Sequence, residues 1–162
     1  MSRFIVLFLV LLFLTACLGC ANGLEKKENT VEKNSYAVQD YRGKSISFEG
    51  KPQRIVSLFV YGDEVLLGLV DHKRIAGLSK WVHDADLSMG YEDAKDVPQI
   101  AENNPEAILA LKPDLVLMPS GSKPEQIGAL EDLGIKVFVY PAASSLKNIS
   151  VTIKYMGDAV GE

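Results

Sequence analysis

Residues 104–118, with the sequence NPEAILALKPDLVLM, contain the start and the end of a helix followed directly by an apolar strand. Asn104 is a favourable helix N-cap, and Pro105 suits the first helical position because its missing N–H is not needed there. Leu115 to Met118 form a continuous apolar run, which is typical of a strand buried on both faces of a parallel sheet. The stretch therefore predicts a helix over residues 106–111 and a buried strand after it.

Similar strand and helix signals extend in both directions along the chain. Short apolar runs predict further strands at residues 55–60, 74–78 and 136–140, with helical spacing between them. Before the first run, residues 36–39 and 45–48 alternate polar and apolar side chains around a turn, as a β-hairpin does. Together these signals predict an α/β fold, with a Rossmann-like parallel sheet, helices on both of its faces and a small leading β-hairpin.

Charged and hydroxyl residues mark the starts of two predicted helices. Asp63 and Glu64 are placed in the first turn of the helix after the first strand, where the helix dipole favours negative charge. Ser122, Pro124 and Glu125 predict a capping box, in which the serine caps the helix and the glutamate bonds back to it.

The last predicted helix begins at Ser144 or Ser145. Its apolar residues recur at helical spacing, which predicts an amphipathic helix with one apolar face. The residues predicted to share this face are Ile149, Ile153, Met156 and Val160.

The amino terminus has the pattern of a secretory signal peptide over residues 1–16. A positive charge at Arg3 precedes an unbroken apolar run over residues 4–14. A helix that crosses the hydrocarbon core needs about 20 apolar residues, so this run is too short for a permanent span. A buried core helix is the alternative, but no polar face interrupts the run.

Residues 14–17, Leu-Thr-Ala-Cys, resemble the bacterial lipobox, in which the cysteine receives a lipid. We therefore predict lipidation of Cys17, while Cys20 offers a poorer second register. A redox or zinc motif is the alternative for this pair, but the sequence has no second cysteine pair. Residues 22–34 are mostly polar and charged, and we predict that residues 17–34 form a flexible tether. The expected location is extracytoplasmic, with acyl chains holding the protein on the cell membrane without spanning it.

Charge and motif content argue against several function classes. The formal net charge of −4 gives no basic face for nucleic acid. The sequence has no dinucleotide or P-loop glycine motif, and no serine, histidine and acid set in a hydrolase context. Its two histidines, His72 and His83, are predicted at opposite ends of the sheet, which does not suit a metal site of several histidines. We therefore predict no catalytic residue, no resident metal and no cofactor.

Three stretches together resemble the binding domain that serves importers of iron-siderophores, haem and cobalamin. Residues 52–68 resemble the opening of that domain. Residues 106–116 match its helix-to-strand passage, E-x-I-x-x-L-K-P-D-L-V, and residues 134–141 fit its next strand. The resemblance covers residues 36–162 and is to the N-terminal lobe of a class III periplasmic binding protein.

That family implies two similar α/β lobes joined by a long helix, with the ligand held between them. Residues 35–145 then correspond to the N-terminal lobe and residues 146–162 to the start of the connecting helix. The C-terminal lobe is absent from the sequence, which suggests a truncated gene, a cut chain or a partner that supplies the other half.

The resemblance also implies a function. It points to a solute-binding lipoprotein of an ABC importer, not an enzyme, which captures an iron-siderophore, haem or corrinoid. Its partners would be the ABC permease and its ATPase, and the ligand would be a ferric chelate, haem or corrinoid. The alternative is a binding or interaction module of the same fold for another ligand, such as a metal ion or a small organic solute.

In a parallel sheet of this kind, ligands bind beyond the carboxyl ends of the strands. The loops that follow the predicted strands comprise residues 59–62, 79–83, 119–122 and 141–144. The resemblance places such loops against the flat face of a chelate or macrocycle. The candidate ligand-binding residues are Tyr61, Gly62, Lys80, Trp81, Ser120 and Gly121.

Most of these candidates have a simpler structural role as the alternative. Aromatic rings such as Tyr61 and Trp81 suit a flat ligand, but either ring could plug the top of its own lobe. Lys80 could pair with an anionic ligand oxygen or remain solvated. Ser120 and Gly121 could form only the turn before a helix.

Two further residues have a candidate role outside this set. The resemblance implies that Glu125 docks onto arginines of the permease, and its alternative is the capping box with Ser122. His83, with Met89 or Tyr91, is a candidate haem-iron ligand, for which a surface position is the alternative.

Overall fold

The computed structural model describes residues 35–100, 104–143 and 145–162. The predicted signal segment, the lipidation site Cys17 and the tether lie outside these residues, as does Ser144. Among the described residues, no helix combines the length and the apolar content that a membrane crossing requires.

An antiparallel hairpin opens the described chain, with β1 at Ser35–Gln39 and β2 at Ser45–Glu49. Asp40 closes its turn, because the buried carboxylate accepts hydrogen bonds from the backbone N–H groups of Arg42 and Lys44 at 2.8 and 3.0 Å. The predicted leading hairpin is therefore confirmed.

Five parallel strands form the main sheet in the order β5-β4-β3-β6-β7. Their bounds are β3 Ile55–Ser57, β4 Ile75–Ser79, β5 Gln99–Ile100, β6 Leu115–Pro119 and β7 Val137–Tyr140. This confirms the predicted parallel sheet. The short edge strand β5 was not predicted, because a two-residue strand leaves no apolar run to recognise.

The hairpin turn covers the free edge of β7. The Tyr41 N–H group donates to the carbonyl of Val139 at 2.8 Å, and Arg42 Nη2 donates to the carbonyl of Val137 at 3.2 Å. An uncovered edge strand is a template for pairing with other chains. The hairpin therefore closes one side of the sheet.

Helices connect the strands of the main sheet. Their bounds are α1 Val60–Leu69, α2 Tyr91–Ala94, α3 Pro105–Ala110, α4 Pro124–Asp132 and α5 Leu146–Val160. Short 3₁₀ helices at His72–Arg74 and Lys80–His83 flank β4.

Apolar side chains form a layer on each face of the main sheet. Leu117 and Phe138 belong to the layer that includes residues of α1 and α5. Val116 and Val139 belong to the layer that includes residues of α3 and α4. Because successive residues of a strand point to opposite faces, β6 and β7 contribute to both layers. The predicted covering of the sheet by helices on both faces is confirmed.

The first strand of the main sheet is shorter than the predicted span of residues 55–60. It ends at Ser57, and Val60 is already the first residue of α1. Phe59 is the N-cap of α1, and its carbonyl accepts the first helical hydrogen bond from the Asp63 N–H group at 2.9 Å. A continuous apolar run does not separate a strand from the start of a buried helix, which explains the error.

The predicted capping box of α4 is wrong. Lys123, not Ser122, is the N-cap, and its side chain makes no capping hydrogen bond. Pro124 forces the residue before it into an extended conformation, which makes Lys123 the boundary. Ser122 instead closes a turn, since its N–H group donates to the carbonyl of Pro119 at 2.9 Å.

The last helix begins as predicted, and of its predicted apolar face Met156 and Val160 are buried. Ser145 is its N-cap, and the Ser145 side chain accepts a hydrogen bond from a backbone N–H group of the first turn. Ile149 and Ile153, predicted to be buried, are each 41% exposed. Thr152 takes the buried position because its hydroxyl donates to the carbonyl of Pro141 at 2.7 Å. This hydrogen bond satisfies a polar side chain in the core.

The last helix ends before the final two residues. Gly161 adopts a left-handed backbone conformation with φ 77°, and the Glu162 N–H group donates to the carbonyl of Gly157 at 2.9 Å. Glycine tolerates this conformation without steric cost, and the hydrogen bond pattern is that of a helix stop. The assignment of residues 146–162 to an interlobe connector stays a prediction.

Candidate functional site

Parallel strands end at one edge of the sheet, and a cavity of about 450 Å³ lies among the loops at that edge. Its walls come from the segments that follow β3, β4, β6 and β7. The lining includes Phe59, Tyr61, Trp81, Met118, Gly121 and Lys123. The cavity therefore lies where ligands bind in open parallel sheets.

Four of the predicted ligand-binding residues lie at this cavity or its rim. Tyr61, Trp81 and Gly121 line it. The Lys80 ammonium lies 4.5 Å from the centre of the Trp81 ring, and the Trp81 side chain is 46% exposed. The structure thus places an exposed aromatic face and a cation side by side. Their role in ligand binding stays a prediction.

Phe59 and Tyr61 form an aromatic wall on the α1 side of the cavity. The two rings meet edge to face with centres 5.3 Å apart, and Tyr61 meets Tyr140 in the same manner at 5.6 Å. Burial raises the pKa of the Tyr61 phenol, so this hydroxyl stays protonated. Phe59 is 45% exposed, which leaves its ring accessible from the cavity.

Two predicted site residues do not line this cavity. Gly62 is buried, and a Cβ atom at its position would lie 2.2 Å from Tyr140 Oη. Ser120 joins two loops, because its N–H group donates to the carbonyl of Tyr140 and its hydroxyl accepts from the Ala142 N–H group at 3.1 Å. Their positions give Gly62 a packing role and Ser120 a loop-bridging role.

Phe59, Met118 and Lys123 line the cavity but were not singled out in the sequence. Phe59 does lie in the first predicted strand-end loop, so its position in the chain was an available signal. Lys123 lines the cavity immediately before Pro124, the residue that fixes its extended backbone. Met118 lies near the end of β6, and nothing in the neighbouring sequence distinguishes it from a residue that is only part of the core.

A buried polar cluster surrounds the first turn of α1. The last residues of β3, β4 and β7 carry the hydroxyl groups of Ser57, Ser79 and Tyr140, and all three residues are buried. Asp63, also fully buried, accepts hydrogen bonds from the N–H group and the hydroxyl of Ser79. Burial raises the pKa of Asp63 to about 7, and this effect outweighs the hydrogen bonds from Ser79.

Glu125 lies in the first turn of α4 with its side chain exposed. Within the described ranges, its carboxylate takes part in no hydrogen bond or ion pair. The capping box that was its alternative role does not form. Glu106 occupies the matching position of α3, directly after the proline at the first helical position.

The candidate haem-ligand residues lie apart from the cavity lining. Nε2 of His83 is buried, and burial lowers the pKa of this imidazole. Met89 is 97% exposed. Over residues 35–100, 104–143 and 145–162, no group of three or more histidine, cysteine or acidic residues is arranged to hold a metal ion.

Residues 55–162 match the family model described as periplasmic binding protein. The match spans most of the chain and includes every strand of the main sheet. The chain belongs to the periplasmic binding protein family. The resemblance seen in residues 52–68 and 106–116 is thereby confirmed.

Two curated members of related function are similar to most of this chain. An uncharacterized ABC transporter substrate-binding lipoprotein of Bacillus subtilis, YvrC, is 26% identical over 153 residues, which cover 88% of this chain and 46% of the relative. The iron(3+)-hydroxamate-binding protein YxeB of the same organism is 24% identical over 157 residues, covering 96% and 46% respectively. The chain therefore spans less than half the length of these relatives.

A solved structure of the haem-binding protein HmuT has the same fold as this periplasmic binding protein chain. The TM-score is 0.62 at 22% sequence identity, over 77% of this chain and 40% of the solved chain. The predicted fold, a class III periplasmic binding protein lobe, is confirmed by this similarity.

Proposed function

We propose that the chain forms the N-terminal lobe of an extracytoplasmic solute-binding lipoprotein of an ABC importer. It captures an iron-siderophore, haem or corrinoid and passes it, without chemical change, to the permease and its ATPase. Cys17 carries the lipid that holds the protein on the membrane surface. The observation that carries this proposal is the aromatic cavity at the carboxyl edge of the parallel sheet.

The cavity suits one face of a flat or rigid metal chelate. Phe59 and Trp81 are each close to half exposed, and aromatic rings contribute large contact areas with few rotatable bonds. Lys80 and Lys123 add positive charge for the anionic oxygens of a chelate. The support for this ligand class comes from these side chains together with the names of the relatives.

One lobe covers one face of such a ligand. Affinity depends on the fraction of the ligand surface that is buried, and enclosed sites bury most of it. The described lobe therefore binds more weakly than a protein that closes a second lobe over the ligand. A binding experiment with this chain should use ligand concentrations suited to weak binding.

Quenching of Trp81 fluorescence tests the proposal directly, because Trp81 is the single tryptophan of the chain. The full chain in detergent is titrated with a ferric trihydroxamate, haem and cobalamin in parallel, with free N-acetyltryptophanamide as the control for light absorption by the ligand. Saturable quenching beyond that control by at least one chelate is expected. If all three give only the control signal, the chelate ligand class is rejected.

A matched pair of tyrosine variants locates the binding. Tyr61→Ala removes a ring from the cavity wall, whereas Tyr41→Ala removes an exposed ring from the hairpin turn. We expect Tyr61→Ala to weaken binding by about tenfold, as the loss of one well-placed aromatic contact does, and Tyr41→Ala to leave it unchanged. Equal effects of the two variants would place the ligand elsewhere.

Glu125 is proposed to dock onto the permease. An exposed carboxylate without a local partner is available for a bidentate pair with arginine. In a reconstituted importer with the cognate permease, Glu125→Arg should reduce transport strongly while chelate binding to the lobe is retained. Glu106→Arg, at the same position of α3, is the control and should transport normally. Loss of transport in both variants would point to a general charge effect instead of docking.

A further inference from the structure

A buried carboxyl links α1 to the loop that carries Trp81. Ser79 ends β4 and is also the N-cap of the 3₁₀ helix Lys80–His83. The Ser79 N–H group donates to Asp63 Oδ2 at 3.2 Å, and the Ser79 hydroxyl donates to the same oxygen. The Trp81 backbone is therefore two residues away from its attachment to Asp63.

The same turn of α1 carries the aromatic wall on the other side of the cavity. Tyr61 lies in the first turn of this helix together with Asp63, and its ring lines the cavity together with Trp81. Gly62 lies between them, and its backbone is so close to Tyr140 that an added Cβ atom would lie 2.2 Å from Tyr140 Oη. The hydrogen bonds between Ser79 and Asp63 therefore connect the Trp81 side of the cavity to the turn of α1 that carries Tyr61.

We propose that Asp63 is a positioning residue, which holds the Trp81 loop against α1 and thereby sets the arrangement of the aromatic cavity. Asp63 is buried and does not line the cavity, so it acts through Ser79. This role concerns the shape of the ligand-free cavity, and only its consequence for binding rests on the proposed function.

The polar groups around Asp63 can hydrogen-bond to either form of its carboxyl. Among the described residues, Asp63 Oδ1, Ser57 Oγ and Tyr140 Oη are buried without a hydrogen-bond partner. An ionised carboxylate only accepts hydrogen bonds, whereas a protonated one also donates. The Ser57 and Tyr140 hydroxyl groups can donate as well as accept, so they can serve either form of the carboxyl, and it is burial that favours the neutral form.

The ionisable groups around Asp63 do not stabilise a negative charge. Glu64, which lies just beyond the first turn of α1 and not within it as predicted, adds a further negative charge from the same helix. Tyr140 faces the cluster from β7, and Tyr61 lies against Tyr140. Ser79 of β4 and Ser57 of β3 are neutral. Ionisation of Asp63 consequently places a charge without an ionic partner below the aromatic cavity, but it strengthens the hydrogen bonds that Ser79 donates to this carboxylate.

The fluorescence of Trp81 tests this inference without any ligand. The full chain in detergent is titrated from acid to alkaline pH while the emission maximum and acrylamide quenching are recorded. We expect a blue shift and decreased quenching as the pH rises, with a midpoint at about 7, because the ionised carboxylate accepts stronger hydrogen bonds from Ser79 and holds the Trp81 loop more tightly. Asp63→Asn keeps the shape and the hydrogen-bonding capacity of the neutral acid, so it should hold the low-pH signal throughout.

Three further variants separate positioning from general stability. Asp63→Ala should show the exposed Trp81 signal at every pH, and Ser79→Ala should shift the signal in the same direction by a smaller amount. If Asp63→Ala does not fold by circular dichroism, Asp63→Asn and Ser79→Ala still decide the question. His83 lies two residues from Trp81 in the chain and is itself titratable, with a pKa that burial lowers, so His83→Gln is the control and should retain the transition.

The outcome can contradict the inference in two ways. A transition that persists in Asp63→Asn but disappears in His83→Gln would assign the effect to the imidazole. A wild-type emission that does not change with pH, together with an unchanged emission in Ser79→Ala, would show that Asp63 does not position the loop. Neither result depends on chelate binding, so failure here leaves the proposed function standing, and the reverse also holds.

Discussion

The two edges of the parallel sheet are built differently. At the carboxyl edge, Phe59 and Trp81 are exposed, and the buried hydroxyl groups of Ser57 and Tyr140 have no hydrogen-bond partner among the described residues. At the amino edge, arginine and carboxylate side chains bond to the backbone groups of the loops. The difference teaches that one edge closes the fold through side chains that bond to the backbone, whereas the other keeps a cavity between its loops.

The amino edge shows what a closed edge requires. Asp114 accepts hydrogen bonds from the backbone N–H groups of Gln53 and Arg54 at 2.6 and 3.0 Å. The Arg54 guanidinium group in turn donates to the carbonyls of Leu111 and Lys112. Asp114 of the K-P-D passage therefore joins the amino-terminal ends of the neighbouring strands β3 and β6.

The largest expected effect concerns the pH dependence of stability at the carboxyl edge. Burial raises the pKa of Asp63 from 3.8 to about 7, so between these pH values the folded chain keeps a proton that the unfolded chain has released. The contribution of Asp63 to the free energy of unfolding is complete below about pH 4. It is lost as the pH rises to about 7, by a total of about 4 kcal/mol at about 1.4 kcal/mol per pH unit.

Urea unfolding followed by circular dichroism across this pH range measures the effect. The comparison of wild type with Asp63→Asn at each pH removes other titrations, including that of His83, whose lowered pKa makes stability rise with pH in part of the same range. Glu106→Gln, an exposed acid at the start of α3, should leave the slope unchanged. Equal slopes for wild type and Asp63→Asn would show that Asp63 titrates normally in the folded chain.

The sheet could be predicted from the sequence, but this cluster could not. Apolar runs such as residues 115–118 and 136–140 report burial locally, and burial on both faces implies a parallel sheet. The cluster instead combines the final residues of three strands that are separated by long stretches of chain. Nothing in the local sequence marks Ser57, Ser79 or Tyr140 as part of a cluster. Only the strand order brings their hydroxyl groups to one turn of α1.

The sequence predicted which loops form the candidate site, but it predicted only some of the side chains that line it. Tyr61, Trp81 and Gly121 line the cavity because the carboxyl ends of parallel strands meet at one edge. Sequence position does not tell which side chain of a loop points into the cavity, so Gly62 was included and Phe59 was overlooked. α1 starts at Val60, within the apolar run that was predicted to be a strand. Phe59 and Gly62 therefore belong to the start of a helix, and this sets the direction in which each residue points.

The next prediction tests how tightly the turn above Tyr140 is packed. A Cβ atom at Gly62 would lie 2.2 Å from Tyr140 Oη and 3.2 Å from Ser57 Oγ, so Gly62→Ala forces buried side chains apart. Overpacking of this kind costs about 3 kcal/mol in the free energy of unfolding, which exceeds the gain in helix propensity. Urea unfolding at constant pH gives the value.

A second glycine of the same helix provides the control. A Cβ atom added at Gly68 would meet no neighbouring side chain within 4 Å, so Gly68→Ala should be neutral or stabilise α1 by up to about 1 kcal/mol. Destabilisation by both substitutions would indicate a general intolerance of α1. A neutral Gly62→Ala would mean that Tyr140 has space to move, and the carboxyl edge would then be looser than the described packing.

The smallest of these effects is expected at the amino edge, where Arg74 connects the segment after β2 to the end of α5. Its guanidinium group donates to the carbonyls of Pro52 and Val160 at 2.8 and 2.6 Å and pairs with Glu162 at 2.6 Å. Arg74→Ala leaves two partly buried carbonyls without this donor, which should lower the free energy of unfolding by about 2 kcal/mol.

Substitution of Lys73, the neighbour of Arg74 in the chain, is the control for this test. Lys73 is exposed, and Lys73→Ala keeps the backbone N–H group that donates to Asp71, so its effect should stay within about 0.5 kcal/mol. Arg74 lies at the opposite edge from Trp81, so Arg74→Ala should change stability without changing the emission of Trp81 in the folded chain. A shift of that emission would mean that the two edges are coupled through the sheet, and the division between a closing edge and a cavity edge would no longer hold.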